Sequence, residues 1–123
     1  MIRPPFPTRE DLIKGWIDRY VTEIANDGHW PGSLLDEIVT DYPEEGWIII
    51  IELMDRTQQG SKSDGVLAAG ALEDLLVRHG AQFIERIEEK ALQSERFRYL
   101  LSGVWRNSIP DDIWSRVHTA VQK

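Results

Sequence analysis

The chain has no cysteine among its 123 residues. Disulfide scaffolding, thiolate nucleophiles and cysteine-held zinc or iron–sulfur centres are therefore excluded. Nor is there an apolar stretch fit for a bilayer: the longest uninterrupted run, Trp47 to Ile51, is five residues, where a membrane-spanning helix needs about 20. The opening Met1-Ile2-Arg3-Pro4-Pro5-Phe6-Pro7 lacks the apolar segment of an export signal and carries three prolines. It reads as a flexible lead-in to a cytoplasmic protein with no membrane partner. The most informative gap concerns charge. From Tyr20 to Asp55 there is not one lysine or arginine.

That stretch of 36 residues carries Glu23, Asp27, Asp36, Glu37, Asp41, Glu44, Glu45, Glu52 and Asp55. Residues 1–19 and 56–123 each sum to +1, so the net charge of −7 belongs entirely to this block. An acidic chain lacks the basic footprint of a nucleic-acid-binding module, and no direct nucleic-acid contact is expected. A one-sided block creates a local negative potential that steers a basic partner and makes its association salt-dependent. Trp30 and Tyr42 lie in the same block, and aromatics ringed by charge suit a protein interface. The candidate partner-binding residues are Trp30, Asp36, Glu37, Asp41, Tyr42, Glu44, Glu45, Glu52 and Asp55. A solvated face that keeps the protein soluble would look the same in sequence.

Hydrophobic content of 41% with eleven aromatics, five of them Trp, provides for one packed domain and argues against disorder. The periodicity is helical nearly throughout. Thr8 caps a helix running to about Ala25, with Asp11 completing a weak capping box and Asn26-Asp27-Gly28 ending it. A short helix follows Pro31-Gly32-Ser33. Pro43 opens the next, with Glu44 and Glu45 at its positive end. Its body, Trp47 to Met54, is apolar on every side and fits a buried strand equally by pattern. Nothing else in the chain could pair with a strand, so a buried helix is expected. Gln58 to Asp64 is a loop. Helices follow over Val66–His79, with Gly80 as a stop, and over Phe83–Ala91. Ser94 caps another, whose inward positions are Phe97, Leu100, Leu101, Val104 and Trp105, and Ser108 opens the last. The expected fold is all-α: about seven helices in a single domain, as a compact bundle or a short HEAT-like α-solenoid. Pro43-Glu44-Glu45-Gly46-Trp47 and Pro110-Asp111-Asp112-Ile113-Trp114 echo one another, as stacked repeats would, although proline and acids are favoured at any helix start.

Catalytic motifs are missing. His29, His79 and His118 lie too far apart in sequence for a helical metal site, so no metal or cofactor is expected. There is no Gly-x-Ser-x-Gly elbow, and Gly60-Ser61-Lys62-Ser63 lacks the upstream glycine of a phosphate loop. Adjacent acids such as Glu88 and Glu89 point about 100° apart on a helix and do not converge. Glu73 and Asp74 lie among small and apolar residues. A buried carboxylate there calls for a partner, with Arg78, Arg86 or Arg106 in reach. His79 beside Gly80 reads as a donor to free helix-end carbonyls. An enzyme built on Glu73, Asp74 and His79 is the least favoured reading.

Leu67-Ala68-Ala69-Gly70-Ala71-Leu72-Glu73-Asp74-Leu75-Leu76, followed by His79-Gly80 and Gly103-Val104-Trp105-Arg106, resembles an uncharacterised bacterial family of small helical domains. Members show Ala-Ala-Gly-Pro-Leu-Glu-Asp-Leu-Leu, a His-Gly and a later Val-Trp. The likeness extends over residues 10–118, and Leu-Glu-Asp-Leu-Leu is its specific part; Ala71 stands where the family has proline. In size and acidity the family is similar to immunity proteins of bacterial toxin systems, and it implies no catalytic residues. With the acidic block, this points to a non-catalytic inhibitor of a basic protein, above all an immunity protein against a toxin. A phage- or plasmid-encoded inhibitor of a nucleic-acid-binding defence complex uses the same physics, with carboxylates in place of phosphates. A helical scaffold without charge preference is the remaining reading.

Overall fold

In the computed structural model, residues 8–22 and 30–122 are described. The expected lead-in at 1–7 and helix stop at 26–28 lie outside them, as do Glu23, Asp27 and His29, but the first helix already ends at Tyr20, short of the expected Ala25. Helix α1 (Arg9–Tyr20) starts from a reciprocal cap in which Thr8 Oγ1 accepts from the Asp11 N–H and Asp11 Oδ2 accepts from the Thr8 N–H, both at 3.1 Å. It buries Leu12, Ile13 and Trp16. Helices α2 (Trp30–Asp41) and α3 (Pro43–Asp55) are joined by Tyr42 alone. They cross closely because Gly46 of α3 meets Val39 of α2 with no side chain between them. The apolar run is helical, as the shortage of strand partners requires: Ile49, Ile50, Leu53 and Met54 face the core, while Ile48 points outward.

The loop after α3 is shorter than its polar composition implies. Helix α4 (Lys62–Leu67) already contains Asp64, which is buried and bound by Arg96 from α6 (Glu95–Ser102). From α4 the chain passes through one π-wound segment, Ala68–Leu72, into α5 (Glu73–Gln93) without leaving helical geometry. The expected helix end at His79–Gly80 is present as a break within α5, which joins two helical segments across it. His79 takes φ −135° and ψ 25°, which kinks α5 there. Gly80 gives Ile113 of α7 (Asp111–Val121) room to approach, since a Cβ at Gly80 would lie 3.1 Å from Ile113 Cγ2. Ala71 sits within the π turn, so the helix is irregular at that position without a proline.

α5 packs against α2, α3, α6 and α7. A solenoid repeat touches only its neighbours, whereas here one central helix is wrapped on several sides, so the arrangement is a compact bundle. The two Pro-acid-acid-x-Trp segments do open α3 and α7. Trp47 packs on Phe83 and Phe97 with ring centroids 6.0 and 5.8 Å away, and Trp114 packs half-buried against the core. Ser108 caps nothing: α7 begins after Pro110 without a side-chain cap.

α6 ends at Ser102, which overturns one inward assignment. Val104 is buried, but Trp105 is 70% exposed, the most of any large hydrophobic residue described.

Candidate partner-binding surface

The acidic block folds onto α2, α3 and the corner between them, and its carboxylates have different fates. Three of the nine candidate residues are claimed by arginines from elsewhere in the chain. Glu44 accepts two hydrogen bonds from Arg86 of α5, at 2.7 and 2.8 Å. Glu45 accepts two from Arg9 of α1, at 2.6 and 2.8 Å. Glu52 lies 3.3 Å from Arg56 and 3.9 Å from Arg9, and Arg56 also holds Glu10. These bonds stabilise the charged carboxylates, and the Glu44, Glu45 and Glu10 carboxyls sit below the ordinary range as a result. The outward face of α3 is thus an interleaved network of both signs, where the sequence reads as uniformly negative.

Asp41 and Asp55 are exposed and, among the described residues, have no cation partner. Glu37 is half-buried. Tyr42 is 43% exposed at the corner and flanks Asp41 and the Glu44–Arg86 pair. Trp30 lies half-buried over Gly15 of α1, where a side chain would leave it no space. Its position beside the core follows from the sequence pattern Gly15-Trp16, which provides a flat place on α1 for a second indole.

Asp36 belongs to a different neighbourhood. Partial burial, then the nearby charge of Asp74 on α5, raise its carboxyl above the usual value, with Arg78 opposing. Burial likewise raises Asp74, against Arg78 and with Glu73 adding to the effect. Arg78 shares an open cavity of about 410 Å³ with His79, Gln82, Pro110, Asp112 and Ile113. Within it, His79 Nε2 lies 3.0 Å from the Thr40 carbonyl and must donate, because a carbonyl only accepts. His79 therefore satisfies a carbonyl at the end of α2, as sequence reasoning expects, though of a neighbouring helix and not of its own.

The predicted buried ion pair of Glu73 and Asp74 with Arg78, Arg86 or Arg106 takes another form. Glu73 is buried and accepts from Asn107 Nδ2 at 2.6 Å, while Arg86 and Arg106 pair with Glu44 and Asp111. Among the described residues no group of three or more histidine, aspartate or glutamate side chains gathers to hold a metal, and no helix is long and apolar enough to cross a membrane.

The sequence profile of a family of unknown function, DUF6869, matches residues 10–123. The chain belongs to the DUF6869 family. No curated protein and no solved structure matches it. Within this DUF6869 domain, the run Ala68 to Leu72 is the π-wound segment, Glu73 anchors Asn107, and Trp105 stands in solvent one turn of loop away. Sequence reasoning placed Trp105 in the core because its spacing from Leu101 is helical. The contrary signal was present in Gly103, Asn107-Ser108 and Pro110, a cluster of turn-forming residues that ends α6 before the indole is reached.

Proposed function

We propose that this domain is a non-catalytic inhibitor, an immunity protein acting in the cytoplasm that covers the basic cleft of a toxin through its α2–α3 corner. The observation that carries this reading is the landing of a base-free acidic block on two consecutive helices. Asp41, Tyr42 and Asp55 are exposed there, and Asp41 and Asp55 lack an internal cation among the described residues. The arginine pairs at Glu44, Glu45 and Glu52 do not oppose it. Each joins side chains that are a third or more exposed, where an ion pair contributes about 0–1 kcal/mol, and an incoming cation can replace one partner at little cost. The three arginines fix where these carboxylates stand, so the rim of the surface is ordered before binding.

The test begins with affinity capture of the native partner, followed by assay of the captured protein's own activity. A basic protein, stoichiometrically inhibited, is expected. Converting Asp36, Glu37, Asp41 and Asp55 to their amides is expected to slow association by about tenfold or more at low salt and to flatten its salt dependence. A neutral or acidic partner, or kinetics indifferent to these amides, overturns the reading.

A further inference from the structure

Helices α1 and α2 and the π-wound segment meet around a cavity of about 150 Å³, walled by Trp16 and Tyr20, by Leu35 and Asp36, and by Gly70 and Ala71. Its space comes from missing side chains. A Cβ on Gly70 would meet nothing within 4 Å, and a Cβ on Gly32, also on the wall, would lie 2.6 Å from the Tyr20 hydroxyl. The wide turn of a π segment opens a helix locally, and such turns recur at functional sites. Trp16, Leu35 and Ala71 are buried, and Tyr20 is half-buried with its ring centroid 5.0 Å from that of Trp16. Sites for whole small molecules usually hold about 300–1,000 Å³, so this one has room for a group the size of a side chain.

Two polar groups on this wall are unpaired. Among the described residues the Asp36 carboxylate has no hydrogen bond and no ion pair, and the Tyr20 hydroxyl has no hydrogen bond. Asp36 is exposed and so stands at the opening, while the rest of the wall is apolar or aromatic. The neighbouring charges are of both signs: Asp74 adds negative charge at Asp36, Arg78 opposes it, and Arg19 stands 5.0 Å over the Tyr20 ring. A free carboxylate beside an acceptor hydroxyl and aromatic carbon selects a cation. The number of acceptors selects which cation. A guanidinium carries five N–H donors and leaves several unmet against one carboxylate and one hydroxyl, whereas the three donors of an ammonium are met by these two groups and water at the opening. A calcium ion needs about six or more oxygens, and among the described residues no three acidic or histidine side chains gather.

We propose that this cavity binds a primary alkylammonium group. The Asp36 carboxylate receives its charge, Tyr20 Oη accepts a second hydrogen bond, and the alkyl stem lies along Trp16, Leu35 and the side-chain-free Gly70. The group is supplied by a small free amine or by a lysine side chain of a bound protein, and the recognition chemistry is the same. Only the second source rests on the proposed function, with which the site shares Asp36 and the sign of the charge.

The test uses the full chain and n-butylammonium, with n-butanol as the neutral counterpart and n-propylguanidinium as the competing cation. Binding is followed at the Gly32 and Gly70 amides in ¹H–¹⁵N spectra. Expected are saturable shifts of both signals with butylammonium, about tenfold weaker binding of butanol and about threefold weaker binding of propylguanidinium. Asp36→Asn, at an exposed position, is expected to weaken butylammonium about tenfold, and Tyr20→Phe, which removes only the hydroxyl, about threefold. Equal binding of the three probes, affinity unchanged in Asp36→Asn, or no saturable shift at the two glycines overturns the proposal. So do shifts that spread over Asp41 and Asp55 and spare Gly32 and Gly70, which would show general attraction to an acidic surface. Butylammonium that slows association of the captured partner identifies a partner lysine as the source; butylammonium bound equally by the free domain and the complex identifies a free amine. If amides at Asp41 and Asp55 slow the partner while butylammonium leaves the two glycines unmoved, the α2–α3 reading stands and this one fails.

Discussion

Removing the Asp64 carboxylate tests the reasoning about burial most directly. Its side chain is 7% exposed and that of Arg96 is 21% exposed. The guanidinium meets the carboxylate twice, at 2.8 and 3.0 Å, and Asp64 also accepts from the Gly60 N–H at 2.8 Å. The pair ties α4 to α6 and holds the loop between α3 and α4. Asp64→Ala leaves a mostly buried cation without its anion and the Gly60 N–H without its acceptor. Breaking a buried ion pair costs about 3–5 kcal/mol. Arg96 keeps the Met54 carbonyl at 3.2 Å and Thr57 Oγ1 at 3.2 Å as acceptors and retains some water, so the low end, about 3 kcal/mol, is expected. For a chain of this size that lowers Tm by roughly 10–15 °C. Asp64→Leu combined with Arg96→Met removes both charges together and is expected to recover most of the loss, because no uncompensated ion remains. Urea and thermal denaturation followed by circular dichroism, run as a double-mutant cycle, give both quantities. A loss under about 1 kcal/mol for Asp64→Ala, or a double variant no better than the single, would refute the claim that a buried pair fastens this corner.

Two further outcomes follow from the same geometry. Burial is the first cause that raises both the Asp74 and the Asp36 carboxyls, and the charge of Asp74 adds to the rise at Asp36. An acid whose pKa rises on folding stabilises the fold while protonated and loses that contribution as pH climbs from the unfolded value through the folded one. Asp74→Asn is therefore expected to raise Tm at pH 7 and to leave it unchanged near pH 3, as thermal scans at the two pH values will show. Gly46→Ala is expected to cost about 1–3 kcal/mol, since its Cβ would sit 3.0 Å from both Cα and Cγ2 of Val39. Gly65→Ala in α4, with nothing within 4 Å, is expected to gain about 0.5–1 kcal/mol from helix propensity. Denaturant midpoints of the two variants moving in opposite directions would bear this out.

The helical class was legible because 3.6-residue periodicity and capping chemistry are local properties of the chain. Thr8 with Asp11, Pro43 ahead of two glutamates, and Ser94 all mark helix starts, and each stands at one. Gly80 marked the break at His79, but its close approach to Ile113, 33 positions away, was not legible in the chain. Ser108 misled because a residue that forms caps also forms turns. The acidic block was visible as composition, yet Arg9 and Arg86, which temper Glu45 and Glu44, come from other helices, and pairing across helices leaves no trace in a one-dimensional charge count.

The amino-acid sequence alone determined that this chain is acidic and helical, with its negative charge concentrated between Tyr20 and Asp55, since periodicity and charge are summed along the chain. Only the folded structure decided which of those carboxylates remain unpaired, that Asp64 and Glu73 are held inside, and that Trp105 and not Trp30 is offered to solvent. Exposure and pairing are properties of neighbours in space, and helix packing brings together residues that the chain keeps 30 or more positions apart.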